Sequence, residues 1–401
     1  MANSTNHLQR SLSLNAMVFY GLGTIIGAGI YVLIGEIAAQ AGAWSPLAFI
    51  AAAFIASFTG LSYAELVGRY PKSAGEAVYV ERAFNKNWLT VVVGWSVVLT
   101  GLVSAATLLK GFSGYFIHLF GGTEFIVIGS AVLLMCLLAC SGVKKSVGFA
   151  VGVTILELLG LLLVIFIASG ELTISTNWVR WSQDLNHFSW SGIVAATFLA
   201  FYAFIGFEDM VNMAEEVENV STVLPKAIII AIVASTIIYL LVSIVAVVAV
   251  PIENIANSSA PLTALVASAV WFPSWLISMI SLVAIINGVI VQLLMASRVV
   301  YGLTKNYKTL AFLSIINLRT QTPILATVLI SLFVLGFALW MPLAQLATLT
   351  SFIILCLFIL VNSSLLIIKI NYAYDGFKVP RIIPVLGVIA SLLLLIAQVL
   401  I

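Results

Sequence analysis

The chain is a succession of apolar runs, each long enough to cross a bilayer. A run of roughly 20 apolar residues has the length of a transmembrane helix. Eleven are read, over about 14–38, 45–69, 88–112, 124–141, 147–169, 190–213, 226–250, 272–303, 322–341, 343–368 and 382–401. A single turn signal, Met341-Pro342, divides the pair between Pro323 and Lys369. In lipid a spanning segment must pair its own backbone N–H and C=O groups, so runs of this length are helices. Charged residues make up 8% of the 401, against about 25% in an ordinary soluble chain. The fold class expected is an all-α integral membrane protein of about eleven transmembrane helices.

The basic residues test that count, because cytoplasmic loops carry the excess of Lys and Arg. With the N-terminus inside, the inner segments hold Arg10, the loop from Arg69 to Lys86, Lys144-Lys145, Lys226, the stretch from Arg298 to Arg319, and Lys369 to Arg381. That is fifteen of the seventeen basic residues; Lys110 and Arg180 fall outside. A missed span would scramble the alternation from that point on. The order implies a cytoplasmic N-terminal tail over 1–13 with no signal-peptide core, and a multi-pass protein of the plasma membrane. Trp44, Trp88, Trp178, Trp181, Trp190, Trp271 and Trp340 stand near run ends, where interfacial anchors belong.

Several classes fall away. A net charge of +2 without a basic run gives no footprint for nucleic acid. Cys136, Cys140 and Cys356 lie in apolar runs, with no disulfide framework and no Cys/His metal pattern. No cofactor is expected. His7, His118 and His187 all lie in tails or loops, which leaves an intramembrane enzyme without its catalytic groups.

Two runs carry features that an uninterrupted helix would not choose. Gly21-Leu-Gly-Thr-Ile-Ile-Gly-Ala-Gly-Ile-Tyr31 places four glycines in nine residues, each costing up to about 1 kcal/mol in a helix interior. By spacing alone it is either a packing face, Gly23-xxx-Gly27, or a break that opens the backbone to a ligand. The sixth run reads Ala200-Phe-Tyr-Ala-Phe-Ile-Gly-Phe-Glu-Asp-Met, with Gly206 followed by two acids deep in the span. Such acids are costly unless the backbone opens into a polar cavity. Runs one and six are five apart and so run in opposite directions through the membrane. That is the pattern of an inverted repeat, runs 1–5 against 6–10, with a discontinuous helix leading each half. The division expected is 14–169 for the first five-helix repeat, 190–370 for the second, and 371–401 for an additional C-terminal helix.

Four motifs in order resemble one family. Ile25-Ile-Gly-Ala-Gly-Ile-Tyr31 is similar to the first-helix signature of the amino acid–polyamine–organocation (APC) transporters. Tyr63 to Tyr79, with Pro71-Lys-Ser-Ala-Gly-Glu76 inside it, resembles their second-helix exit and following loop. Phe204-Ile-Gly-Phe-Glu208, Ala214-Glu-Glu-Val217 and Leu224-Pro-Lys-Ala-Ile228 resemble their sixth helix and the start of the seventh. Met295-Ala-Ser-Arg-Val-Val-Tyr-Gly-Leu303 resembles the end of their eighth. The family's usual Asn-Pro after the acidic run is Asn219-Val220 here, and most members have twelve spans.

The resemblance implies a leucine-transporter-like five-plus-five repeat and secondary transport of amino acids by alternating access. Ile26, Gly27, Ala28 and Gly29 would then bind the substrate carboxylate at the positive end of the second half-helix. Carbonyls freed at Tyr202, Ala203 and Ile205 would accept from its ammonium. An aromatic at the position of Tyr202 stacks on substrate in similar transporters. Phe204 and Phe207 would shape the pocket or gate it, while Phe201 reads equally well as filler. Glu157 lies about 15 Å deep in run five, at 1.5 Å per residue. Similar proton-dependent transporters carry a lysine at this position, where sodium-coupled relatives hold their ion. Glu157 is therefore expected to couple a proton, or else to bind a cation or support the opened helix. Glu208 is expected either to titrate or to cap the helix after the break, and Asp209 to start that helix.

Other polar groups read more plainly. Asn287 and Gln292 line the pathway or join helices. Glu65 pairs with Arg69, Lys110 reads as a snorkelling interfacial residue or a substrate-facing group of the third helix, and Glu215, Glu216 and Glu218 as a solvated helix end or an inner gate that pairs with basic cytoplasmic loops. With Glu208 the one acid placed for a cationic side chain, neutral L-amino acids are the expected substrates. Partners are then a small amino acid, a proton or sodium, and the bilayer. Sodium coupling, exchange, polyamine transport, and a sensor or pairing subunit that binds without transport remain as alternatives.

Overall fold

The computed structural model describes residues 12–27, 29–72, 75–141, 147–307, 310–317, 320 and 322–401. The first run is two helices, α1 (Leu14–Ile26) and α2 (Gly29–Ala41), interrupted at Gly27. Then come α3 (Ser45–Arg69), α4 (Gly75–Phe84), α5 (Asn87–Phe120), α6 (Glu124–Cys140), α7 (Val147–Ser169) and α8 (Ser175–Asp184). The sixth run is α9 (Trp190–Ala203), a turn, and a 3-10 segment, Glu208–Met213. The remainder is α10 (Val220–Ala249), α11 (Ile252–Ala256), α12 (Pro261–Leu265), α13 (Trp275–Tyr307), α14 (Ile324–Trp340), α15 (Leu343–Asn371) and α16 (Ile382–Leu400).

Among the described residues eight stretches are long and apolar enough to cross a membrane, the first taking in α1 to α3; α6 and α14 are shorter apolar helices. Local chemistry sets several ends. Pro46 in the first turn opens α3, where its missing N–H costs nothing. The Ser189 hydroxyl accepts the Gly192 N–H at 3.1 Å and caps α9. Gly121, at φ +72°, turns the chain out of α5. α5 runs eight residues past the apolar segment read from sequence, because amphipathic Tyr115 to Phe120 keeps the helical pitch.

The helices pack in two groups. α1 and α2 pack with α3, α9 and α10, and α5 packs with α6, α13 and α14. α7 touches α1 and α10 of the first group and α13 of the second, while α15 touches α3, α9 and α5. Each group draws from both halves of the sequence. The one bridge pairing among the described residues joins Leu12 to Val217, with Leu12 N–H on the Glu216 carbonyl at 3.0 Å and Glu218 N–H on the Leu12 carbonyl at 3.1 Å.

Candidate functional site

The two interruptions touch each other. A β-carbon on Gly29 would lie 2.9 Å from the Ala203 Cα. One on Gly206 would collide with the Thr24 carbonyl, and at φ +130° that position already suits glycine alone. The start of α2 therefore faces the end of α9, and the turn after α9 lies on the end of α1. α2 brings a positive helix end to this place, and α1 and α9 bring negative ones.

The carbonyls divide up as follows. Phe201 and Tyr202 accept the N–H groups of Phe204 and Ile205, at 3.0 and 3.1 Å. Of the three carbonyls expected to be free, that of Tyr202 thus already holds a turn. The Ala203 carbonyl accepts instead from the Tyr239 hydroxyl of α10 at 2.8 Å, and the same hydroxyl stands 2.7 Å from the Ile25 carbonyl. Gly27 donates its N–H to the Gly23 carbonyl at 3.1 Å, closing α1, so its backbone is engaged as well. Ile26 is fully buried at that end. Ala28 lies outside the described residues.

The aromatics separate into two sets. Phe204 meets the Tyr239 ring edge-on, with centroids 5.1 Å apart. Phe207 packs on Tyr63 and Phe358 at 5.6 and 5.2 Å, and Phe201 packs on Phe358 at 5.8 Å, filling the space between α3, α9 and α15. The Tyr202 hydroxyl pairs with the Ser104 hydroxyl of α5 at 2.9 Å, which ties the interrupted helix to the second group.

Glu157 is fully buried in α7, and Asn287 of α13 donates to its Oε1 at 3.4 Å. Its backbone carbonyl accepts the Tyr31 hydroxyl at 2.6 Å, and the Tyr31 carbonyl in turn accepts the Tyr115 hydroxyl at 2.8 Å. Gly23 packs on the Thr154 side chain one turn away, so the Glu157 turn of α7 rides along α1. Glu208 turns back on the break, its Oε2 accepting the Gly206 N–H at 2.8 Å. The helix beyond therefore starts without that cap, and a 3-10 segment replaces the α-helix the run had suggested.

Beside the break lies a cavity of about 20 Å³, room for one water. Val97, Ile205, Met295, Ile354 and Leu357 supply its apolar wall, and Glu76, Glu208 and Asp209 supply carboxylates, with Thr100, Asn212 and Gln292 between. Glu76 comes from the loop helix α4, accepts the Tyr63 hydroxyl at 3.0 Å, and is buried. Burial pushes its carboxyl above the ordinary value, against the lowering effect of hydrogen bonds from backbone and Tyr63. Further out, Glu65 is fully buried between Arg69, at 2.7 Å, and Lys369, at 2.5 Å, and also accepts the Val379 N–H at 2.8 Å. Lys110 pairs with Glu124 at 2.8 Å. Glu216 and Glu218 lie in turns, their backbones holding Leu12.

Sequence reasoning missed Tyr239 and Glu76. A tyrosine in mid-run is a signal, because a buried hydroxyl needs a partner. Glu76 sat in a loop, where hydropathy carries no sign that the loop folds inward.

Known proteins complete the assignment. A family model described as Amino acid permease matches residues 12–401. The chain is 27% identical over 93% of its length to a protein of Arabidopsis thaliana named Cationic amino acid transporter 3, mitochondrial, and 29% identical over 92% to Cationic amino acid transporter 2, vacuolar, of the same plant. It spans only 64% and 61% of those two proteins. It is 27% identical to the Branched-chain amino acid permease BcaP of Bacillus subtilis, over 97% of this chain and 88% of that protein. The chain belongs to the amino acid permease family, within the APC superfamily.

Proposed function

We propose that the chain is a secondary transporter of amino acids working by alternating access, in the plasma membrane with its N-terminus cytoplasmic. The observation that carries the reading is the apposition of Gly29 with Ala203. One positive helix end and two negative ones meet there, an arrangement that suits a carboxylate and an ammonium held a bond or two apart. The names of the relatives point to the same substrate class. The two helix groups supply the bodies that rock against each other, with α7 and α15 as the arms between. Their composition supports an inverted repeat of 14–169 on 190–370 with 371–401 added, and eleven crossings.

Glu157 is the coupling group in this reading, exchanging a proton as α1 and α7 move past each other. Sodium coupling is the competing form. For the substrate side chain, the apolar wall of the cavity agrees with the neutral amino acids expected from sequence. The three carboxylates favour a second reading, a basic side chain whose methylene stem lies on the apolar wall and whose charge meets Glu76, Glu208 and Asp209. The helices must part to admit either, since the cavity holds about one water.

Proteoliposome uptake of radiolabelled L-leucine and L-arginine, at several pH values with and without sodium, tests the reading. Saturable uptake or exchange supports transport. Binding without either makes the chain a sensor, strict sodium dependence at fixed pH removes the proton, and competition between the two substrates decides the side chain.

A further inference from the structure

α2 carries a carboxylate that the site described above does not use. Glu36 lies in the first apolar run, seven residues past Gly29. Positions i, i+3 and i+7 fall on one face of a helix, so Gly29, Val32 and Glu36 form one stripe. Contacts fix where the stripe points. Gly29 meets Ala203 of α9, and Val32 fills the place that a side chain at Gly111 of α5 would take. Glu36 therefore stands over the seam between α9 and α5, about 10 Å along α2 from Gly29 at 1.5 Å per residue.

Burial changes along the stripe. Val32 is buried, Glu36 is half-buried, and Ala39 and Gln40 on the next turn are exposed. The carboxylate sits where the seam opens, at the outer end in the orientation proposed above. Among the described residues it has neither an ion pair nor a hydrogen bond. Two basic residues belong to that end, and both are occupied. Lys110 holds Glu124 at 2.8 Å, and Arg180 holds the Val248 carbonyl at 2.5 Å and Asn177 Oδ1 at 3.2 Å. Against them stand five acids, Glu36, Glu124, Glu171, Asp184 and Glu253, so that end is net negative. An acid inside an apolar run is expensive to keep, and what this one lacks is a cation.

Taking the chain as an amino acid transporter, we propose that Glu36 is a loading subsite for organic cations, which draws the guanidinium or ammonium of a basic side chain to the mouth of the seam. The ligand class follows from charge. A basic amino acid is net positive and gains from an uncompensated carboxylate. A neutral one is a zwitterion, whose own carboxylate is repelled while its ammonium is attracted. Charge of one sign in a low-dielectric opening raises the local concentration and the arrival rate of the opposite charge. Glu36 is distinct from the carboxylates of the cavity. It follows the interruption on α2, toward the outer end, whereas Glu208 and Asp209 follow the interruption of the sixth run, toward the inner end, beside Glu76 of α4.

The test is initial-rate uptake of L-arginine and L-leucine by the full chain in proteoliposomes, for wild type, Glu36→Gln and Glu36→Asp. Where L-arginine is not itself carried, its inhibition of L-leucine uptake is measured in its place. Glu36→Gln is expected to lower the preference for L-arginine over L-leucine, as kcat/KM or as inhibition, by about tenfold, mostly through KM. Glu36→Asp keeps the charge and is expected to restore most of the preference. Equal loss for both substrates, which a merely structural role would give, overturns the proposal. So does an unchanged preference, an L-arginine that neither enters nor inhibits, or a variant whose only change is lost sodium dependence, since the carboxylate then serves a metal cation. Should Glu36→Gln not fold, the wild type decides alone, with L-arginine against the uncharged L-citrulline at rising potassium chloride. A preference for L-arginine that falls as salt screens the open carboxylate supports the subsite, and one that salt leaves unchanged overturns it. A wild type that takes up neither L-leucine nor L-arginine fails the transport reading itself, whatever Glu36 does.

Discussion

Gly29 of α2 and Ala203 of α9 meet backbone to backbone, 174 positions apart, with room for a hydrogen and not for a methyl group. Neither residue carries chemistry in its side chain. Their value is that two interrupted helices present their ends at one point, and the absence of a side chain at Gly29 is what allows it.

Gly29→Ala is therefore expected to push α2 away from α9 and cut substrate uptake by at least about tenfold. Alanine is the better helix former, by about 1 kcal/mol, which offsets part of the cost of the backbone clash, so the loss of uptake should exceed the loss of thermal stability in detergent. Uptake and melting temperature measured on one preparation check this; a parallel fall in both would mean the substitution acts through folding.

Glu157→Gln keeps an oxygen for Asn287 and removes the titrating group. Uptake is expected to lose its pH dependence while substrate still binds. A pH profile of uptake beside an equilibrium binding measurement separates the two, and an unchanged profile would make the residue structural.

Glu76 gives stability a pH dependence of known sign. Burial raises its folded-state pKa above the ordinary 4.5. The unfolded chain then releases the proton first, so stability falls as pH rises from about 4.5 through the raised value and levels off above it. Glu76→Gln still accepts from Tyr63 and has no proton to lose. Its melting temperature is expected to match wild type near pH 4 and to exceed it at pH 7.5, in a thermal series across that range.

Glu65→Gln leaves Arg69 and Lys369, each less than a tenth exposed, without their shared carboxylate. Breaking a buried ion network from its central member costs about 3–5 kcal/mol. Thermal or denaturant unfolding in detergent should show a loss of that order. Lys369→Met, which leaves Glu65 paired with Arg69, should lose less.

Much of the helical layout was legible because lipid makes hydropathy a strong signal. The runs 45–69 and 147–169 coincide with α3 and α7. Pro46 opens the first, and Tyr70-Pro71 follows it. Both interruptions showed as glycines and acids in an apolar setting. Their immediate partners did not. Tyr239 acts on carbonyls 214 and 36 positions away, and no local pattern reports that a hydroxyl in an apolar run will find helix ends. The 3-10 segment was hidden for a related reason: the outcome turned on whether Glu208 reached back to the Gly206 N–H or forward to the next turn. Glu76 became visible once α4 was seen folded against α3 and α15.

The pairing of Leu12 with Val217 bears on how the two interrupted helices travel. Leu12 leads into α1, and Val217 follows the 3-10 segment of the sixth run, so two backbone hydrogen bonds clasp the start of the one to the end of the other. A displacement of one helix alone would have to tear that clasp and leave four amide groups to find water. In the proposed transport cycle the cheaper path would carry both helices as one lever, and a substrate's two charged groups would then be held between surfaces that do not slide against each other.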